Sequence, residues 1–192
     1  MFFSPIVKRY GGFFGLRTKY LQTNSALKKK FYLFLNRGFQ HETNSYLPFE
    51  TQIAGPINFV HGIYGIFISG GAVIGRNCIV FQQVTIGSNM LIDSKGFGSP
   101  VIGDNCLIGA GAKVIGNVTI GANCRIGANA VVTVDLPDNS VCVAGKPIII
   151  QKEHLTNRIY AMSKQGWGYV EDGRFVVENK LEVLAKLNKN RD

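Results

Sequence analysis

Histidine is scarce in this chain: His41, His61 and His154 are all there is. No two cysteines stand at C-x-x-C spacing. The pattern therefore offers no zinc ligand set, and no metal is expected. Acid is scarce as well, with 12 Asp and Glu against 21 Lys and Arg and a net charge of +9. Before residue 45, Lys8, Arg9, Arg17, Lys19, Lys28, Lys29, Lys30 and Arg37 face Glu42 alone. Such an excess suits an anionic partner: an acidic glycan, a phosphorylated substrate or a membrane surface touched peripherally, beside the plain alternative of a solvated helix face. No nucleic-acid reader module accompanies the charge, so nucleic acid is not expected. Long apolar runs are missing too. The opening MFFSPIVKRYGGFFGL places its charges after its apolar residues and builds no signal-peptide core, so the expected location is cytoplasmic.

Glycine, by contrast, is plentiful at 23 residues. Much of it belongs to a repeat. Ile102, Ile108, Val114, Ile120, Ile126 and Val132 recur every six residues, and a glycine follows at 103, 109, 121 and 127. Four residues after each aliphatic position comes a second small or apolar side chain: Cys106, Ala112, Val118, Cys124, Ala130. A period of six fits neither a helix nor one long strand. It implies a short strand, a turn and a new flat face, the pattern of a parallel β-helix. Ile68, Ile74, Val80 and Ile86 extend the ladder backwards. The glycines are expected at corners that need unusual φ/ψ. Cys78, Cys106 and Cys124 occupy the second inward position and read as buried, reduced fillers.

Two breaks interrupt the register. Phe59 and Ile68 are nine residues apart, and Ile86 and Ile102 sixteen, so Ser88 to Pro100 must leave the coil as a loop. Interruptions of a solenoid tend to gather on one functional face. Three segments follow. Residues 1–46 form an N-terminal helical cap, with Asn24 or Ser25 capping a helix through LKKKFYLFLNR, Gly38 ending it, and Phe31, Tyr32, Phe34 and Phe39 packing on the first coil. Residues 47–150 are the β-helix, with Pro137 and Pro147 ending its ladder. Residues 151–192 are a tail: weakly helical KEHLTNRIYAMSKQ, a hairpin turning at Asp172-Gly173, and a short amphipathic helix in NKLEVLAKLNKN. The fold class expected is all-β.

The segments HGIYGIFISGGAVIG, FQQVTIGS, PVIGDNCLIGAGAKVIGNVTIGANCRIGANAVV and LPDNSVCVAGKP resemble the hexapeptide-repeat acyltransferases. The nearest branches are serine acetyltransferase and the O-acetyltransferases of polysaccharide clusters. The resemblance implies a left-handed parallel β-helix, a homotrimer, and acetyl-CoA in the groove between subunits. It implies His61 as general base, since imidazole ordinarily titrates near pH 6.5 and supplies a neutral base near pH 7. For CoA it implies Gly87, Ser88, Ala110, Gly111 and Ala128. The family arginine after the closing proline is Ile149 here, leaving Lys146 or Lys152, or Lys113 in the GAK tripeptide, to meet the phosphates. Gln83 and Ser99 are the acceptor-binding candidates.

The sequence departs from serine acetyltransferase in four places. The orienting aspartate aligns near Tyr46, with Glu50 the closest acid, so Glu50, Tyr46 or a backbone carbonyl is left to orient His61. Val60 replaces an acid, Ser99 replaces a second histidine, and the large N-terminal helical domain is missing. These losses favour a sugar or cell-surface glycan hydroxyl as acceptor, with serine as the alternative. A non-enzymatic structural solenoid is the reading from another class, and the two breaks speak against it.

Overall fold

The computed structural model describes residues 1–145, 158, 160–171 and 173–189. The chain divides into two compact units, Met1–Lys146 and Pro147–Asp192.

The first unit is a parallel β-helix with helices at its start. One face stacks β1 (Gln52–Ile53), β4 (Val73–Ile74), β7 (Val101–Ile102) and β10 (Thr119–Ile120). A second stacks β2 (Asn58–Phe59), β5 (Ile79–Val80), β8 (Leu107–Ile108), β11 (Arg125–Ile126) and β13 (Val141–Cys142). The third stacks β3 (Phe67–Ile68), β6 (Thr85–Gly87), β9 (Lys113–Ile115) and β12 (Val131–Val132). Every expected ladder residue lands inside: Ile68, Ile74, Val80, Ile86, Ile102, Ile108, Val114, Ile120, Ile126 and Val132 are all buried. Each aliphatic side chain removed from water contributes about 1.5–3 kcal/mol, so the ladder is the core. Cys78, Cys106 and Cys124 are buried and free, as expected. Their thiols donate to main-chain carbonyls, Cys106 to Gly121 at 3.1 Å and Cys124 to Pro137 at 3.2 Å.

The corners correct one expectation. Gly103, Gly109, Gly121 and Gly127 have no positive φ. They are needed for space: a Cβ on Gly103 would lie 2.8 Å from Ala122 N, and one on Gly109 2.7 Å from Ala128 N. Left-handed corner positions are held by asparagine, at Asn77, Asn105, Asn123, Asn129 and Asn139, and also by Gln83 and Gly111. Asparagine tolerates that conformation, and its amide reaches the next coil. Asn77 Nδ2 donates to Asn105 Oδ1 at 3.3 Å, and Asn105 Nδ2 to Asn123 Oδ1 at 3.2 Å.

Pro137 does not end the ladder, because it sits in a turn where its missing N–H is not needed. Beyond it, β13 still pairs with β11, Cys142 opposite Ile126.

The protein is not all-β. Three helices precede the coils: α1 (Phe3–Arg9), α2 (Gly12–Gln22) and α3 (Ala26–Glu42). Ser25 caps α3 by accepting from Lys28 N. The helix runs past Gly38, whose missing Cβ makes room for the Phe3 ring. Tyr32 and Phe39 of α3 do pack against the hydrophobic core, and α2 adds two rings at the first coil: Phe13 lies 5.7 Å from Phe49, and Phe14 stacks on Phe59 at 6.0 Å. Phe31 and Phe34 turn outward instead. Glu42, in the last turn of α3, closes the N-terminus of α1, accepting from the Ser4 hydroxyl and from the backbone N–H groups of Phe2, Phe3 and Ser4.

The second unit is a three-stranded antiparallel sheet, β14 (Tyr160–Ser163), β15 (Gly166–Glu171) and β16 (Arg174–Val177), followed by α4 (Leu181–Lys189). The hairpin and the final helix match expectation. Residues 160–163 do not, since they extend to pair with β15, Met162 opposite Trp167. Trp167 is a packing anchor here, its Nε1 donating to Asn188 Oδ1 at 2.9 Å.

Two predictions follow from stacking and capping. Gly103→Ala should cost about 1–3 kcal/mol, read from urea midpoints, whereas Gly145→Ala, with nothing within 4 Å of the added carbon, should be near neutral. Desolvation alone would raise the Glu42 carboxyl, but the bonds from Ser4 and the α1 backbone outweigh it and hold the group down at about 2. A lowered folded-state value means stability that is present above the ordinary range near 4.5 and lost as pH falls towards 2. Glu42→Gln should lower stability at neutral pH and flatten that acid-side loss.

Candidate active site

Both breaks in the repeat lie at edges of the β3–β6–β9–β12 face. At one edge, residues 60–66 turn from β2 into β3. Gly62 and Gly65 take positive φ there, 76° and 65°. Ile63 and Ile66 are buried and anchor the turn from inside, and Gly65 N donates to Thr43 O at 3.0 Å, tying it to the end of α3. His61 is left exposed on this turn. Its ring stands edge-on to Phe81, 5.6 Å between centroids. Its Nδ1 lies 2.7 Å from Gln82 Oε1 on the next coil. With the Gln82 amide oxygen facing it, the neutral ring is the Nδ1–H tautomer, with the lone pair on Nε2.

The same edge continues up the stack. Gln82 O accepts from Gly111 N at 3.0 Å, and Ala110 O from Asn129 N at 2.9 Å. Ala110, Gly111 and Ala128 thus follow Gln82 and Gln83 on successive coils, all small and at least partly exposed. Gln83 holds a φ of 62°, and its carbonyl accepts from Lys113 Nζ at 2.7 Å.

At the other edge are Gly87, Ser88 and the loop to Pro100. The hydroxyls of Ser69, Ser88 and Ser99 form a chain that clamps the loop root, 2.6 Å between Ser88 and Ser99. Asn89 and Gly98 exchange two bonds of 2.8 Å, and Gly96 O accepts from Asn117 N at 3.0 Å. The loop is therefore folded, with Met90, Leu91 and Ile92 exposed at its tip.

A cleft of about 570 Å³ opens on this face. The outward residues of the coils, Phe67, Thr85 and Lys113, line it with Tyr64, Gln82 and Gln83, and Glu42, Thr43 and Asn44 close it from the end of α3.

The residues singled out in the sequence separate into two groups: His61, Gln83, Ala110, Gly111 and Ala128 at one edge, Gly87, Ser88 and Ser99 at the other, with Lys113 between. Lys146 and His154 lie outside the described residues. Sequence reasoning missed the partner of His61. The hydrogen-bond partner of His61 is Gln82, whereas Glu50 accepts from the Tyr20 hydroxyl at 3.3 Å and Tyr46 pairs by its backbone with Phe67. The only cue to Gln82 was its place in FQQVTIGS. Among the described residues no group of three His, Cys, Asp or Glu side chains could hold a metal ion.

Residues 99–133 match the family model for the bacterial transferase hexapeptide (six repeats). The chain is a hexapeptide-repeat protein. Over 72% of its length it is similar to a serine acetyltransferase isoform from Entamoeba histolytica, solved in complex with cysteine, at 33% identity and a TM-score of 0.57. A soybean serine acetyltransferase complexed with serine is 29% identical over 68% of the chain, TM-score 0.55. A serine acetyltransferase complexed with CoA is 26% identical over 68%, TM-score 0.54. The hexapeptide-repeat chain spans about half of each, 48%, 51% and 50% respectively. No curated protein sequence matches it.

In this hexapeptide-repeat protein the Gln82 amide oxygen favours the Nδ1–H tautomer of a neutral His61. Nitrogen-15 NMR should therefore show His61 predominantly as the Nδ1–H form when neutral. Gln82→Ala should shift it towards the Nε2–H form usual for a free imidazole; an unchanged spectrum would remove Gln82 from that role.

Proposed function

We propose that this protein transfers an acetyl group from acetyl-CoA to a hydroxyl, with His61 as general base. The observation that carries the reading is the His61–Gln82 bond, which leaves Nε2 unprotonated beside a cleft lined by the repeat. Nε2 takes the acceptor proton as the hydroxyl oxygen attacks the thioester carbonyl. The carbon–sulfur bond then breaks, and the imidazolium returns the proton to the departing thiolate. Gln82 is a positioning residue, holding the ring in the tautomer this step needs.

The acetyl-CoA donor fits the stack. Ala110, Gly111 and Ala128 present little side chain, so a pantetheine arm running along the corner can reach main-chain groups. Gly87 and Ser88 offer the same at the other edge. Lys113 is a cation available to an anionic group of either substrate. The same reading includes a left-handed coil, a homotrimer with the donor held between subunits, and, because acetyl-CoA is the donor, an enzyme of the cytoplasm.

Serine is the acceptor that the solved relatives support best, one of them having been solved with serine. The second reading is a sugar hydroxyl. Its support is the chemistry of the cleft, where Tyr64, Phe67, Asn44 and Gln83 provide the aromatic and amide surface that suits a sugar, and Lys113 is the single cation lining it.

The deciding experiment follows CoA release with L-serine and with sugar acceptors in parallel. His61→Ala should lower the rate by about 10²- to 10⁴-fold while CoA still raises the melting temperature. Unchanged turnover in the variant would refute the assignment of His61. No CoA release with any acceptor, together with no thermal protection by CoA, would refute acetyl transfer itself.

A further inference from the structure

Helix α3 has a face that none of the described residues covers. Leu27, Phe31, Phe34, Arg37 and His41 follow one another at three- and four-residue steps, and Lys30 stands three residues from Leu27 and four from Phe34, so they share one side, and all six are exposed. Leu27 is 79% exposed and Phe34 59%, while the opposite side of the helix buries Leu35, Asn36 and Gln40. The strip continues onto the start of the chain: Phe34 packs edge-on against Phe3 at 5.4 Å, and Phe3 against Phe2 at 5.2 Å. Phe2 and Met1 are 71% and 79% exposed.

The charge on this face is of one sign. Lys30 and Arg37 are exposed, and among the described residues neither makes a salt bridge. The only acid before residue 45 is Glu42, and its carboxylate is bound to the N-terminus of α1. Large apolar side chains interleaved with unneutralised cations form the surface that an amphipathic helix lays into a lipid headgroup layer. A second copy meeting this face about a two-fold axis would set Lys30 and Arg37 near their own images, a like-charge contact.

We propose that this face docks the protein on an anionic phospholipid surface. Apolar rings enter the acyl boundary, and the cations meet the phosphates. No helix among the described residues is long and apolar enough to cross a membrane, so contact through α3 would be peripheral. The face also adjoins the cleft: the Tyr64 hydroxyl points to Met1 Sδ at 4.0 Å, and Glu42, Thr43 and Asn44 line the cleft. Docking would bring that rim to the lipid surface. The proposal stands on the helix face and does not depend on acetyl transfer.

The test is co-sedimentation of the full chain with vesicles of phosphatidylcholine alone and of phosphatidylcholine mixed with phosphatidylglycerol. Binding is expected to the anionic vesicles only, and to weaken as salt is raised. Lys30→Gln and Arg37→Gln should each lower the partition constant about fivefold. Leu27→Ser, a change at a well-exposed position, should weaken binding without moving the melting temperature. Absence of binding to anionic vesicles, or binding indifferent to all three variants, overturns the proposal. So does a drop in oligomeric mass for Leu27→Ser in sedimentation, which would assign the face to a second copy.

Discussion

The spacing between stacked coils governs this molecule. Parallel strands lie about 4.8 Å apart, and each coil must repeat that distance at every corner as well as on every face. Paired residues such as Ile102 and Ile120 are eighteen positions apart, so one coil is three hexads. At that spacing a corner has room for a side chain only where it points along the edge or away from it. Gly103 and Gly109 are glycine because the next coil's backbone occupies the place of a Cβ. The asparagine corners satisfy the same constraint differently, bending the chain into the left-handed region and bonding amide to amide up the stack.

A regular prism of this kind has flat faces and no concavity. The site arises where the register is broken, and both breaks fall on edges of one face. The additional residues after β2 form a turn held by Ile63, Ile66 and the end of α3, and that turn carries His61. The loop after β6 is fastened at its root by three serine hydroxyls. Between them the coils remain in strict register, so Thr85 and Lys113 stack rigidly across the floor of the cleft. The solenoid supplies rigidity and the insertions supply shape.

The inward ladder was legible because burial imposes a period that local sequence displays. The six-residue spacing and the two gaps located the coils and the breaks correctly. What the sequence hid was contact between coils. His61 and Gln82 are 21 residues apart, and nothing in the local pattern marks them as partners. Gly62, Gly65 and Gly111 do take the left-handed conformation expected of them, but the glycines that follow the ladder were found for the wrong reason, since the crowding that requires them comes from the next coil. Helices α1 and α2 were missed because their glycines and aromatics blur helical periodicity. Helix α2 is stabilised by Phe13 and Phe14 packed on Phe49 and Phe59, which only the fold brings together. Residues 160–163 were read as helical from local propensity, which pairing with β15 overrode.

An imidazole base can receive two services from its partner: orientation, and stabilisation of the charge that forms when it takes a proton. A carboxylate supplies both. Gln82 is neutral and supplies only the first. The cleft does contain a carboxylate, Glu42, but its oxygens are engaged by the first turn of α1, and that bond joins α1 to α3. Making Glu42 available to the histidine would uncap α1 and loosen the helices that cover the first coil. The acid among the cleft's described lining residues is thus committed to folding, and the partner of His61 is an amide. In the acetyl transfer proposed above, a positive charge on the ring would be best kept brief, with the proton passed directly to the leaving sulfur.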